Sequence, residues 1–188
     1  MNAVGFSVGL SVGLLVCSSC GSPAQPGAPG DPGDPEPPES SENPEPAGAR
    51  GYNAVAYTLV GAFDWTGRQL HARETITLDV IPGRPTIELD TRVEVEAVES
   101  TAGAALAFEQ DRAGARLTVE LGELATRGGR VALVVDYHVG TSGSLLASDG
   151  RDDDPVTSRM VFTDSEPDRA REWLVAKDHP SDRAIWTV

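Results

Sequence analysis

Beyond residue 20 the chain has no cysteine, since its two cysteines are Cys17 and Cys20. Everything after them is therefore without a disulfide framework, a cysteine zinc knuckle or a thiol nucleophile. Lysine is almost missing as well: Lys177 is the sole lysine among 15 basic residues. Acidic residues outnumber basic ones 29 to 15, a net charge of −14, and a field of that sign repels phosphate backbones, which argues against nucleic acid as a partner. No apolar run approaches the roughly 20 residues that a membrane-spanning helix needs. No glycine cluster opens a helix after a strand, so neither a phosphate-binding loop nor a dinucleotide fingerprint is present. What remains is 188 residues, 39% apolar and 23% charged, the balance of a modest globular domain.

Residues 1–20 read as an export segment. Val4 to Val16 are small or apolar and uncharged, and they lead into Cys17-Ser18-Ser19-Cys20-Gly21. The run fits the hydrophobic region of a secretory signal, and the cysteines fit its lipoprotein version. Cys20, which follows the small Ser19, is the preferred acylation site; Cys17, which follows Val16, is the alternative, and a plain cleaved signal would remove both. The usual positive start is missing, because the first basic residue is Arg50. The expected location is the cell envelope or the outside of the cell, with a lipid anchor on the membrane if acylation occurs. One acyl chain holds a protein only marginally, so stable anchoring needs more than one.

Residues 21–50 read as a disordered linker. They hold nine of the 14 prolines, six acids (Asp31, Asp34, Glu36, Glu39, Glu42, Glu45) and no aromatic or large aliphatic side chain. Such a segment buries too little apolar surface to offset the entropy of ordering. Proline-rich linkers extend by about 3 Å per residue, enough to lift a domain off a surface.

From residue 51 to 188 the pattern changes to short alternating runs, the mark of half-buried strands. The expected strands are Tyr52 to Val60, Leu70 to Val80, Thr86 to Leu89, Arg92 to Val98, Leu106 to Glu109, Leu117 to Leu121 and Arg130 to Val139. Ile76, Leu78 and Val80 share one face, and Ile87, Leu89, Val93 and Val95 are inward candidates. Turn chemistry separates the runs at Trp65-Thr66-Gly67, Pro82-Gly83, Ala113-Gly114, Arg127-Gly128-Gly129 and Ser148-Asp149-Gly150. The expected fold is all-β, an antiparallel, saddle-like β-sandwich behind the export segment and the linker. One helical turn is expected from Ser165, with Ser165 as its cap, Asp168 completing a capping box and Pro167 in the first turn. It would end near Trp173-Leu174.

Catalytic patterns are scarce. The three histidines, His71, His138 and His179, lack the i, i+4 pairing of a zinc helix and read as surface or turn residues. There is no Gly-x-Ser-x-Gly elbow, and Asp152-Asp153-Asp154 lacks the spaced ligands of a calcium loop.

The most specific stretch is near the end. Thr163, Asp164, Ala170-Arg171, Trp173, Asp178-His179-Pro180 and Ala184 place paired charges beside an indole and a rigid turn. Arg171 can pair with Asp178, Asp178 can cap the turn, and Trp173 can fill core. This pattern resembles the aminopeptidase N family of zinc metallopeptidases (gluzincins), at the end of their N-terminal β-domain. Asp-His-Pro-Ser-Asp followed by a basic residue and alanine is similar to a bacterial branch of that family. Ile87-Glu88-Leu89-Asp90 and Leu133-Val134-Val135-Asp136-Tyr137 also look like that domain, and the resemblance spans roughly 52–188. Three positions depart from it. Asp164 stands where many members carry a glutamine facing the substrate's free amine; Val175-Ala176 replaces Pro-Cys; Arg183 replaces the lysine before alanine.

The resemblance implies a non-catalytic N-terminal domain of an exported aminopeptidase-like enzyme, walling the active site and helping to position peptide substrate. Asp164 is the substrate-binding candidate, since a carboxylate pairs with an ammonium group. Neither a catalytic nor a metal-binding residue is expected in this chain, nor activity from it alone. Zinc, and the exopeptidase and His-Glu-x-x-His motifs that use it, belong to the family's next domain. The run Ala184 to Val188 reads as a strand still in progress, hence a domain expected to be incomplete at its C-terminus. The competing expectation is a stand-alone, surface-displayed β-sandwich lipoprotein that acts as a binding module.

Overall fold

The computed structural model describes residues 50–141, 143–154, 157–166, 169–179 and 183–188. All belong to the compact unit Asn43–Val188. The export segment with Cys17 and Cys20, the tether up to residue 49, and Pro167 and Asp168 lie outside the described residues.

Ten strands and almost no helix make up the described chain: β1 (Tyr52–Asp64), β2 (Gln69–Val80), β3 (Thr86–Asp90), β4 (Glu94–Ser100), β5 (Phe108–Asp111), β6 (Arg116–Glu120), the single-turn helix α1 (Glu123–Arg127), β7 (Gly129–Gly140), β8 (Leu145–Ser148), β9 (Met160–Thr163) and β10 (Ile185–Thr187). They form a five-stranded sheet in the order β10-β1-β2-β7-β4, a three-stranded sheet β3-β6-β5 and the hairpin β8-β9. Every pairing is antiparallel except β1 with β10, which is parallel. The two larger sheets share one apolar core, in which Ile76, Leu78, Leu133 and Val135 meet Ile87, Leu89, Leu117 and Val119. Fully burying each such side chain contributes about 1.5–3 kcal/mol. This is the all-β, sandwich-like architecture that alternation implies, and the inward candidates Ile87, Leu89, Val93 and Val95 are all buried.

Two hairpins use the same turn. Asp64 accepts hydrogen bonds from the N–H groups of Thr66 and Gly67, both at 2.9 Å, and Arg68 then takes φ 52°. Asp111 accepts the Gly114 N–H at 2.9 Å, and Ala115 takes φ 53°. A Cβ on Gly67 or Gly114 would crowd the carboxylate of Asp64 or Asp111, so any other residue would displace the aspartate that closes the turn.

Boundaries shift where tertiary pairing extends a run. β1 reaches Asp64 because all of its second half pairs with β2. Three elements have no counterpart in the sequence reading: α1, β8 and β9. The helical turn after Ser165 also differs. It is a 3-10 turn over Ala170–Glu172 with no side-chain cap, and the Ser165 hydroxyl instead accepts the Trp173 indole N–H at 3.0 Å. Trp173 packs half-buried against the core.

After that turn, Leu174-Val175-Ala176-Lys177 runs as a buried strap, 0–6% exposed. It joins the sheets. Ala176 exchanges two backbone hydrogen bonds with Asp90 at the end of β3 (2.7 and 3.2 Å). On the five-stranded sheet, the Lys177 N–H donates to the Tyr57 hydroxyl at 3.0 Å and the Val175 N–H to Glu74 at 3.2 Å. Among the described residues no helix is long and apolar enough to cross a membrane.

Candidate functional site

Asp164 follows β9, and its backbone N–H donates to the Ser144 carbonyl at 2.8 Å. Its side chain is 60% exposed, and Arg169 lies 3.6 Å from both Asp164 and Glu172. The Ser144 hydroxyl donates to the Arg169 carbonyl at 2.9 Å, which fixes the backbone that carries this guanidinium. Two carboxylates thus share one guanidinium, an arrangement with one negative charge to spare. Glu172 has a buried carboxylate oxygen without a hydrogen bond and lines an open cleft of about 600 Å³ with Gln69, Arg92, Glu94, Arg112 and His138. The cleft lies where β4 begins and β7 ends. Asp164 is not in its lining and stands beside it, linked through Arg169.

Behind this surface is a chain of partly buried charge. Arg171 and Asp178 pair as the sequence implied: Nε donates to Oδ2 at 2.9 Å, and Asp178 also accepts the Arg171 backbone N–H at 3.2 Å. The Asp178 N–H donates to Asp90 at 3.0 Å, and Asp90 also binds Arg50 at 2.8 Å. Arg50, the last residue of the expected tether, is thereby tied to the domain. Together these contacts fix the segment that bears Glu172.

The histidines divide. His71 and His138 are direct cross-strand partners on the outer face, with ring centroids 5.8 Å apart. His138 contacts Glu96 at 2.7 Å and Glu94 at 3.6 Å. His179 is separate, with its N–H bonded to the Lys177 carbonyl. Asp152 and Asp153 are exposed, with Asp153 3.4 Å from Arg151. Among the described residues no group of three or more histidine, cysteine or acidic side chains could hold a metal ion.

The most unusual group escaped the sequence reading. Glu74 lies on the inner face of β2 between Ala72 and Ile76 and is 0% exposed. Its Oε2 accepts from the Tyr137 hydroxyl and the Val175 N–H, both at 3.2 Å. Its Oε1 has no partner. Burial pushes the Glu74 carboxyl up to about 8, against the opposing pull of those two donors. Burial and the nearby Glu74 also hold the Tyr137 phenol well above its usual range, so it remains a donor. The available signal was phase: Glu74 falls in register with Ile76, Leu78 and Val80, the face already read as inward.

No protein-family model matches the chain, and no curated protein matches it in sequence. Solved structures do match. Native yeast LTA4 hydrolase aligns over 80% of this chain and 25% of its own, with a TM-score of 0.63 and 16% identity. The same enzyme in complex with bestatin gives 0.63 and 17%. An M1 zinc metallopeptidase mutant from Deinococcus radiodurans, bound to a Tyr-Ser-Ala substrate, aligns over 73% of this chain and 32% of its own, with a TM-score of 0.53 and 21% identity. The fold is shared. This chain spans about a quarter to a third of those proteins.

Proposed function

We propose that this chain is the non-catalytic N-terminal domain of an exported, aminopeptidase-like zinc metallopeptidase, and that it walls the active site and helps to position peptide substrate. One observation carries the reading. The residues Thr163, Ala170-Arg171, Trp173, Asp178 and Ala184, which resemble the end of that family's N-terminal domain, belong to a chain whose fold matches a quarter of an LTA4 hydrolase and a third of an M1 zinc metallopeptidase. Asp164 is the residue that would meet the substrate's ammonium group, since it is exposed and its negative charge is only partly offset by Arg169. The exposed apolar side chains of Leu146, Met160 and Phe162 on the β8-β9 hairpin flank it and support burial of this face against the catalytic part of the enzyme. Zinc, general base and bond cleavage would belong to that part. Export, and a lipid anchor at Cys20 or Cys17, complete the reading.

Sequencing the locus beyond the codon for Val188 tests it. The expected result is a His-Glu-x-x-His helix within a few hundred codons, in frame or one base out. A verified stop followed by unrelated sequence would overturn the reading in favour of a stand-alone surface module.

A further inference from the structure

The strap Leu174–Lys177 is held to the five-stranded sheet at two side chains, Tyr57 and Glu74. The first is an ordinary hydroxyl contact. The second places an ionisable group where no charge compensates it. Cross-strand from Glu74 are Leu59 on β1 and Val135 on β7. Its neighbours on the inner face of β2 are Ala72 and Ile76. The titratable groups that these elements turn to the core are Tyr137 on β7, which donates to it, Tyr52 and Tyr57 on β1, and Lys177 on the strap, whose ammonium lies over the Tyr52 ring at 5.7 Å. The influences on Glu74 are burial, the Val175 N–H and the Tyr137 hydroxyl, with no cation among them.

The hydrogen bonds are uneven in a telling way. In a neutral carboxylic acid one oxygen is a carbonyl acceptor and the other a hydroxyl. Here Oε2 takes both donors, as a carbonyl oxygen does, while Oε1 takes none. An ionised carboxylate would leave a bare charged oxygen in the core, which is far costlier than an unpaired hydroxyl.

We infer that Glu74 is a proton-operated latch: as a neutral acid it clasps the strap against the sheet, and lifting the strap wets the carboxyl and releases its proton. The sign follows from linkage. The closed form binds the proton up to about pH 8, whereas a solvated glutamate loses it near its ordinary value of 4.5. Between those limits each pH unit multiplies the open population about tenfold, and above the upper limit the effect levels off. Acid therefore fastens the strap and neutral to alkaline pH loosens it. Because the strap continues from Arg171 and Glu172 and leads into Asp178, the cleft wall shares its fate. This latch depends on nothing in the proposed enzymatic role.

Amide hydrogen exchange on the full chain tests it, with opening constants corrected for intrinsic exchange. At Val175 and Ala176 we expect opening to rise by about tenfold per pH unit between about pH 5.5 and about pH 7.5, with Ile76 in the sheet interior as reference. In Glu74→Gln, which keeps an acceptor oxygen and cannot ionise, the same amides should show no such rise. A flat profile in the unsubstituted chain, or an equal rise in both chains, would overturn the latch. Should Glu74→Gln fail to fold, the carboxyl ¹³C shift of Glu74 in the unsubstituted chain decides. Titration on the alkaline side of neutrality supports the latch, and titration in the usual glutamate range overturns it.

Discussion

The two faces of the five-stranded sheet handle charge in opposite ways. On the outer face, Arg73 bridges Asp136 and Glu99, Arg130 grips Asp79 with two hydrogen bonds of 3.0 Å, and His138 meets Glu94 and Glu96. Each of these acids has a cationic or ionisable partner and solvent within reach. The bidentate Arg130 contact holds the Asp79 carboxyl below its usual range. On the inner face Glu74 has two neutral donors and no access to solvent, and its carboxyl moves the other way. Strand geometry and cross-strand spacing are the same on both sides. What differs is access to solvent, which decides whether a carboxylate belongs to its neighbours or to its proton.

The contrast can be broken most severely by Glu74→Lys. A cation in this site has neither solvent nor a counter-ion, and a buried unpaired ion costs several kcal/mol. The expected outcome is loss of cooperative unfolding in a urea titration followed by circular dichroism. The pH dependence of the unsubstituted chain comes next. A carboxyl raised in the folded state contributes stability that is fully present below about 4.5 and is lost as pH rises to about 8. Each tenfold change in proton affinity is worth roughly 1.4 kcal/mol, so the unfolding free energy from urea titrations should fall by a few kcal/mol across that window. Midpoints that hold constant from pH 6 to pH 8 would contradict this.

Tyr137→Phe sharpens the same point. It removes one of two donors to Oε2, should cost about 1–3 kcal/mol, and should push the Glu74 titration still higher, because the lost bond favours the charged form. Carboxyl NMR on that variant reads both the direction and the site. Gly143→Ala tests the cleft wall. Gly143 has φ 61°, and a Cβ there would collide with the Glu172 carboxylate, so a loss of about 1–3 kcal/mol is expected. The smallest effect belongs to the outer face. Arg130→Ala should leave the unfolding midpoint where it is, since solvent screens exposed pairs of this kind. A clear drop would show that the two faces differ less than their burial indicates.

Most of the sheet was legible because alternation is a one-dimensional signal. Leu70 to Val80 needs no partner to declare which side is wet. Elements without a period stayed hidden. Leu145-Leu146-Ala147 is too short to alternate, and becomes β8 only because β9 lies opposite. Ser165 carried the chemistry of a cap, yet its hydroxyl is taken by the indole of Trp173. The Arg171–Asp178 pair was readable from order along the chain. Arg169 and Glu172, which complete the charged group around Asp164, were not, because their partnership depends on how the turn after β9 folds back. The facing of His71 and His138 is likewise a fact of register, set by pairing along the whole of β2 and β7.

The strap also arranges events in time. Glu74 and Val175 are 101 positions apart, and Tyr57 and Lys177 are 120 apart. The aspartate-closed hairpins form from neighbours, and nearby contacts form ahead of distant ones. The strap follows β1, β2 and β7 along the chain, and until it closes Glu74 is wet and carries its charge. Under the proposed latch, closure of the strap takes up a proton at neutral pH. A refolding experiment in weakly buffered indicator dye should register that uptake in its slowest phase, as the last stretch of backbone closes over the sheet.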